Sequence, residues 1–404
     1  MQHVGRWLAV GGDARVLVIA SILFVDALGS GLILPLLPFL ALELGASPLV
    51  LGLLIATLPL CATLSGPPLG SLSDRYGRKP VLVVSMAGTV VGFALLGAAR
   101  TLPLLFLARI IDGASAGNVT TARAAIADIT SRQERVAGIG VTYAMSSLGF
   151  ILGPMLGGVA SQYGLDVAAY VATGIALACL ALVTFAFRET RPPSADVHQR
   201  PAAMRIGALL AIARAPQIWA LVVVIFGVQL LIMMMWGTLG LYANTAFGFG
   251  SQEFGFISAL AAASGILSQV GVLRVVRRIA SDKTIVVVAL LAMAAGLLLL
   301  ATARVPAMLL LGVGTLAAAF NAGMPTAMGL ASSRASEDEQ GSLMGILSSA
   351  ISLASVLGPV LAGGLFGIAG RGSYGLASAV AVAVAALGIS GIRSEAPPRV
   401  SRVD

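Results

Sequence analysis

The chain alternates between long apolar runs and short breaks made of charges, glycines and prolines. A helix that crosses the hydrocarbon core of a bilayer needs about 20 mostly apolar residues, each rising about 1.5 Å. Cutting at the charged and turn-forming positions predicts twelve such segments, at 16–44, 48–69, 80–99, 103–128, 136–161, 166–187, 217–246, 252–273, 284–303, 305–331, 341–368 and 373–393. About 34 residues remain for each span with its connection, so the loops are short and the mass lies in the bilayer. One polar stretch is longer, from Arg188 to Pro216, with Pro192, Pro193, Pro201 and five arginines. It divides the chain into a six-span half at 1–187, a cytoplasmic linker at 188–216, a second six-span half at 217–393 and a tail at 394–404. Within the linker, Met204–Ala213 reads either as a short helix on the membrane surface or as an ordered connector. The fold class is an all-α membrane protein with twelve transmembrane helices.

Composition narrows the function. Of 404 residues, 58% are hydrophobic and 10% charged, against about 25% charged in soluble domains. No single soluble core hides that much apolar surface. Soluble enzymes, nucleic-acid-binding domains and disordered proteins are excluded. Cys61 and Cys179 both lie in apolar runs, and two thiols make neither a disulfide framework nor a metal site. His3 and His198 lie outside the apolar segments, so a hydrolytic triad has no base there. No enzyme activity, cofactor or metal is expected.

Charge gives the orientation. With the N-terminus inside, twenty-one of the 25 Lys and Arg residues fall on inner loops, inner span ends or termini. Arg100, Arg304 and Arg371 lie at the opposite ends, and Arg109 lies within a span. That asymmetry places both termini in the cytoplasm. The net charge of +8 then reflects topology and anionic headgroups rather than nucleic acid. The first apolar run is too long for a signal peptide, contains Asp26 and lacks a small-residue cleavage site, so no cleavable signal is expected.

The two halves repeat. A shift of 205 residues lays Gly153-Pro154 on Gly358-Pro359, Ser147-Leu148 on Ser352-Leu353, and Ser131 and Glu134 on Ser336 and Glu339. Duplicated halves with a site between them are a recurring transporter plan.

Four motifs carry more specific information. Gly70-Ser71-Leu72-Ser73-Asp74-Arg75-Tyr76-Gly77-Arg78-Lys79-Pro80 joins spans 2 and 3. So short a turn needs a glycine, and Gly77 suits a left-handed position. Asp74 is not required for topology; it either pairs with a neighbouring arginine or caps a helix. Span 4 carries Arg109-x-x-Asp112-Gly113. Span 5 carries Gly149, Gly153 and Gly157 at i, i+4 and i+8, a smooth face for close packing, with Pro154 and Gly158 beside it. Pro154 frees the Phe150 carbonyl, so a bend is expected there. Span 1 holds Asp26-Ala27-Leu28-Gly29-Ser30-Gly31-Leu32-Ile33-Leu34-Pro35-Leu36-Leu37-Pro38. The first string resembles the signature loop of the major facilitator superfamily. The span 5 glycines resemble its antiporter-associated motif, and span 1 is similar to the twelve-span drug–proton antiporters, especially the tetracycline-exporter branch. The resemblance implies two pseudo-symmetric six-helix bundles around a central cavity. It also implies that Asp128 joins Asp74 and Arg78 in a cytoplasmic charge cluster. With Gly70, Arg75 and Gly77, these would form a latch.

Ionisable residues inside a membrane mark function by default, because each costs several kcal/mol without partners or water. Asp26 lies roughly 15 Å into span 1 and Asp112 roughly 13 Å into span 4, both near the midplane of a core about 30 Å thick. Arg109 is one turn from Asp112 and can pair with it. The pair reads as a static internal ion pair or as a modulator of coupling; Asp26 reads as a satisfied polar residue or as the proton site. Span 7 holds no acid, and none lies between Asp282 and Glu337 or between Glu339 and Glu395. A carboxylate-borne proton is therefore carried in the first half. The candidate substrate cavity is Asn118, Tyr143, Gln229, Met233, Trp236, Phe320 and Asn321. The run Met233-Met234-Met235 reads as core or lipid-facing, or as an adaptable wall for varied ligands.

The expected activity is proton-coupled efflux of a small amphiphilic compound, a drug or antibiotic of tetracycline-like type, by alternating access. The alternatives are a proton-coupled transporter of a metabolite or sugar, and a non-transporting membrane receptor or scaffold. The expected partners are a small-molecule substrate, protons and the lipid bilayer, with no nucleic acid, and the chain is expected to be a monomer.

Overall fold

The computed structural model describes residues 14–131, 135–191, 216–334 and 339–392. Among them, twelve helices are long and apolar enough to cross a membrane. Spans 1 to 6 are Arg15–Glu43, Pro48–Tyr76, Arg78–Ala98, Leu102–Ile129, Gly138–Tyr163 and Leu165–Phe185. Spans 7 to 12 are Ile218–Phe247, Ser251–Val276, Asp282–Thr302, Pro306–Ser332, Gln340–Ala369 and Gly372–Gly391. Met204–Ala213 and the tail from 394 lie outside the described residues.

Local chemistry sets the ends. Ser47 caps span 2 by accepting the Val50 amide at 3.3 Å, and Ser281 caps span 9 through Thr284 at 3.2 Å. Pro48 and Pro306 open spans 2 and 10, where the missing amide costs nothing. Span 2 departs from the sequence expectation. Instead of ending at 69 it carries Pro67, Pro68 and Gly70 within the helix and stops at Tyr76. Both prolines lie inside the expected span; the extension is the charged string after Gly70, which stays helical to Tyr76. It ends where Gly77 adopts φ 100°, a conformation that L side chains rarely take. Most of the signature string is thus the last turns of span 2 and the first of span 3. Spans 1 and 4 are each interrupted by turns, at 34–36 and 115–117.

The chain divides into two compact units. Among the described residues, the first holds spans 1 to 6 together with Ala243–Ala259, and the second holds the rest of spans 7 to 12. In the first unit, span 1 packs extensively against span 5, and span 3 against spans 4 and 6. The span 1–5 contact is backbone on backbone. A Cβ on Gly149, Gly153 or Gly157 would lie 2.6, 2.6 and 2.5 Å from the carbonyl oxygens of Phe24, Leu28 and Leu32 respectively. Both helices therefore present the same four-residue repeat, and glycine is required for them to approach so closely. Gly158 faces elsewhere, onto Gln252 and Gly255. Ile19, Ile22 and Leu23 of span 1 bury themselves against Leu82, Met86, Ala125, Ile126 and Cys179.

In the second unit, span 9 packs against spans 10 and 12. The duplicated Gly-Pro pair does the same work here. A Cβ on Gly358 would lie 2.6 Å from the Met233 Cβ, and one on Gly237 2.7 Å from the Pro359 Cα, joining spans 7 and 11. Tyr242 donates to the Leu300 carbonyl at 2.9 Å and packs with Phe366 and Tyr374, while Tyr374 and Thr238 share a hydroxyl bond of 3.0 Å. Large apolar side chains that remain exposed, among them Leu64, Val84, Phe185 and Leu311, belong to spans, where hydrocarbon covers them in a bilayer.

Candidate functional site

The break at 115–117 organises the polar centre of the first unit. Above it, Arg109 Nη1 donates to Asp112 Oδ2 at 3.1 Å, and the two residues are 9% and 7% exposed. Span 3 comes close because residue 92 is glycine; a Cβ there would lie 2.9 Å from that of Asp112. On the other side, a Cβ on Gly113 would lie 2.7 Å from the Leu58 carbonyl of span 2. The Thr89 hydroxyl is within hydrogen-bonding reach of Asp112. The ion pair is therefore walled in by three helices. Below the break, buried Asn118 donates to Asp26 of span 1, which is only half-buried. Ser85 Oγ, Thr121 Oγ1 and Arg109 Nε are buried with no hydrogen-bond partner among the described residues.

A second cluster forms where spans 2, 3 and 4 end. Arg78, 4% exposed, is its hub. Its Nη1 lies 2.8 Å from Asp74 Oδ1 and donates to Ser73 Oγ at 2.7 Å, while its Nε donates to Asp128 Oδ2 at 2.8 Å. The sequence left Asp74 between pairing and capping; it pairs. The cap is Glu189, just after span 6, whose carboxylate accepts the amides of Arg78 at 2.8 Å and Lys79 at 3.0 Å. It also accepts the amides of Thr190 and Arg191. Arg191 Nη1 reaches back to Asp74 Oδ1 at 2.7 Å. Partial burial pushes the Glu189 carboxyl up, but the amides of Arg191, Arg78, Lys79 and Thr190 outweigh it and hold the group below the usual glutamate value. A Cβ at residue 77 would lie 2.5 Å from Glu189 Oε2, so glycine is needed there for contact as well as for φ. Gly70 contributes its carbonyl, accepting from Ser73 Oγ at 2.9 Å. Arg75 is outside the cluster, exposed and stacked 5.3 Å from the Tyr76 ring centre.

The remaining candidates are dispersed. Exposed Tyr143 lies under the Arg123 guanidinium, 4.4 Å from ring centre to Cζ. In the second unit, Gln229 donates to Ser355 at 2.9 Å, and Met233 is set against Gly358. Asn321 donates to the Ala317 carbonyl of its own helix at 2.9 Å and abuts Gly265 of span 8. Trp236 and Phe320 are half-buried on spans 7 and 10.

The sequence pattern of the Major Facilitator Superfamily matches residues 19–314 and 278–403, nearly the whole chain. The chain belongs to the major facilitator superfamily. The class B tetracycline resistance protein of Escherichia coli is 30% identical over 351 residues, covering 84% of this chain and 85% of the relative. Multidrug resistance protein 1 of Bacillus subtilis is 27% identical, covering 87% and 89%. Among solved structures, a human organic anion transporter is 26% identical with a TM-score of 0.64, covering 93% of this chain and 99% of that one. As a major facilitator, the chain is a multi-pass membrane transporter, and its family implies a small-molecule substrate.

Sequence reasoning missed several residues of this major facilitator: Ser73, Glu189 and Arg191 complete the charge cluster, and Ser85, Thr89 and Thr121 line the polar centre. Glu189 carried a usable signal: like Asp74, it is a carboxylate amid basic residues that topology does not require. Ser85 and Thr89 carried none, because isolated hydroxyls are common in membrane helices and bond back to their own turn.

Proposed function

We propose that this transporter exports a small amphiphilic compound, of drug or antibiotic type, in exchange for protons by alternating access. The observation that carries the reading is the contrast between the two acids of the first unit's polar centre. Asp26 is half-buried and held by a neutral asparagine; Asp112 is walled in and neutralised by Arg109. Asp26 is therefore the acid that exchanges protons, and Arg109–Asp112 stays ionised and sets the field around it. Ser85 and Thr121, buried with unsatisfied hydroxyls, offer hydrogen-bonding stations on spans 3 and 4. The relatives' names, tetracycline and multidrug resistance, support an amphiphilic substrate rather than a sugar.

Asp74, Arg78, Asp128, Glu189 and Arg191 form the latch, whose making and breaking biases the conformational equilibrium. Glycines 149, 153 and 157 give span 1 a rigid partner, so that Asp26 is presented in one place. The chain sits in the inner membrane with both termini cytoplasmic; single cysteines replacing Arg78 and Arg205 should label from the same side.

The test is transport in proteoliposomes with an imposed pH gradient, using a panel of amphiphilic cations, tetracyclines and sugars. Amphiphile flux against its gradient is expected. Asp26→Asn should abolish that coupling while a neutral substrate still binds. If Asp26→Asn concentrates substrate as well as the parent, Asp26 is a satisfied polar residue and not the coupling site. Flux of sugars alone would overturn the substrate class.

A further inference from the structure

An apolar groove of about 350 Å³ opens on the second unit between spans 8, 9 and 10. It exists because its floor is built of small side chains, Ala289 and Ala292 on span 9 with Ala318 and Ala322 on span 10. Span 8 closes one side. There the helix widens into a π-helical turn at Ser268–Val272, and the Ser268 hydroxyl ties it to span 10 by donating to the Ala318 carbonyl at 2.8 Å. The groove begins at Ala280, in the connection between spans 8 and 9, and reaches Ala292. Ala292 is ten residues into span 9, roughly 15 Å at 1.5 Å per residue, half of a hydrocarbon core about 30 Å thick. The groove thus has the depth of one leaflet.

Its mouth is basic. Arg274, Arg277, Arg278 and Lys283 fall within ten residues of chain and alternate there with the lining residues Leu273, Val276, Ala280 and Thr284. Lys283 donates to the Ile389 carbonyl at 2.7 Å, and Arg277 lies 3.8 Å from Asp282 in an exposed pair. Arg274 and Arg278 are exposed, and their neighbours Val275 and Ile279 are 60% and 82% exposed. Charged heads beside bare aliphatic surface, above a dry groove one leaflet deep, match a single class of molecule.

We propose that this groove binds one anionic phospholipid, with an acyl chain between spans 8, 9 and 10 and its phosphate on Arg274 and Arg278. A zwitterionic lipid fills the groove equally well but gains less from the arginines. A free phosphate or a detached headgroup meets two exposed, flexible arginines and lacks the chain contact that holds the lipid in place. The site is separate from the acids of spans 1 and 4, and it stands or falls independently of proton coupling.

The experiment uses the full chain, purified and stripped of lipid in detergent. Binding is counted by native mass spectrometry with phosphatidylglycerol, phosphatidylcholine, and glycerophosphoglycerol as the chainless headgroup. One retained phosphatidylglycerol is expected, with weaker phosphatidylcholine and no retained headgroup. A basic residue near an anionic surface contributes roughly fivefold, so Arg274→Gln with Arg278→Gln should weaken phosphatidylglycerol binding by about thirtyfold. Both side chains are exposed, so this variant should fold; an unchanged unfolding midpoint checks that. Ala292→Leu with Ala322→Leu fills the groove and should lower retention of both lipids. Equal retention of the two lipids, with no loss in the arginine variant, would overturn the proposal. So would headgroup binding as tight as the whole lipid, which would reduce the site to a surface anion patch.

Discussion

Gly149→Ala tests how the polar centre is held. The added methyl would lie 2.6 Å from the Phe24 carbonyl oxygen, 2.8 Å from the Ala27 Cβ and 2.9 Å from the Leu28 amide. These atoms flank Asp26 on both sides. Ordinary contact begins near 3.4 Å, so spans 1 and 5 must part by about 0.8 Å at this level. Overpacking of that kind costs roughly 1–3 kcal/mol, and the better helix propensity of alanine returns up to about 1 kcal/mol. The net loss is roughly 1–2 kcal/mol of stability, together with a displaced Asp26 and a weakened Asn118 bond. The control is Gly174→Ala on span 6, where nothing lies within 4 Å of the new methyl. Thermal and denaturant unfolding in detergent should show a lowered midpoint for Gly149→Ala and an unchanged or raised one for Gly174→Ala. The double variant Gly149→Ala, Gly153→Ala should lose less than the sum of its parts, because one separation of the helices accommodates both methyls. Proton-coupled flux should fall in the span 5 variants and not in the control. If Gly149→Ala is as stable and as active as Gly174→Ala, the glycine face is not what holds span 1 and does not fix the position of Asp26.

Asp112→Asn should weaken transport by releasing Arg109 rather than by removing a proton carrier, so the pH dependence of the residual flux should keep the parent's shape; a shifted profile would make Asp112 a coupling group. Asp128→Ala leaves the nearly buried Arg78 with only Asp74 and Ser73, and should destabilise by roughly 1–3 kcal/mol, below the cost of breaking a fully buried pair because Asp128 is partly exposed. Asp74→Asn should reduce flux while membrane insertion stays intact, since insertion follows Lys and Arg; undiminished flux would remove the latch from the mechanism. Glu189→Gln should cost about 1 kcal/mol, the usual worth of a helix cap. Because the folded carboxyl lies below its unfolded value near 4.5, its contribution is fully present above that pH and is lost as the pH falls through the lowered folded value. The stability difference between parent and Glu189→Gln should therefore be flat at neutral pH and shrink in acid; a difference that grows in acid contradicts the capping role.

Periodic information was legible and long-range information was not. Twelve spans follow from apolar length alone, because a bilayer imposes one thickness on every helix. The end of span 2 was misplaced because the apolar run stops at 69 and the charged string after it reads as a loop, whereas the helix continues through that string to Tyr76 and ends only where Gly77 adopts a positive φ. Arg109 and Asp112 lie one turn apart on one helix, which brings them together, while Asp74 and Arg78 are four residues apart across the Gly77 turn, near enough along the chain for pairing to be read as an option. Asp26 and Asn118 are 92 residues apart, and Glu189 and Arg78 are 111 apart. Nothing in one sequence encodes those distances. The placement of Asp128 came only from resemblance to a family whose loop carries the same residues. The dispersal of the second-half candidates has a related cause. Gln229 and Asn321 were singled out as rare polar groups in apolar helices, yet each spends its amide on a nearby oxygen, and the sequence does not distinguish a helix-packing bond from a ligand-facing one.

The two units solve the same burial problem with different chemistry, and the difference bears on where a proton can travel. The second unit joins its spans through neutral groups: Gln229 to Ser355, Thr238 to Tyr374, Tyr242 and Ser378 to backbone carbonyls. None of these carries a charge in ordinary conditions, so the spans can move or stay put without changing protonation. The first unit carries Asp26, Arg109 and Asp112 inside membrane-spanning segments, where an unpaired charge is costly. Arg109 and Asp112 offset one another, while Asp26 has neutral Asn118 as its hydrogen-bond partner and no ion pair among the described residues. Loading a proton on Asp26 removes its charge from the hydrocarbon level, and releasing it restores the charge. Under the proposed mechanism, the proton would thus change the free energy of exposing Asp26 to one side or the other, which is the differential a coupled transporter requires. A second carboxylate in the other unit would add another protonation equilibrium; the acid-free spans from Asp282 to Glu337 leave one there without a place.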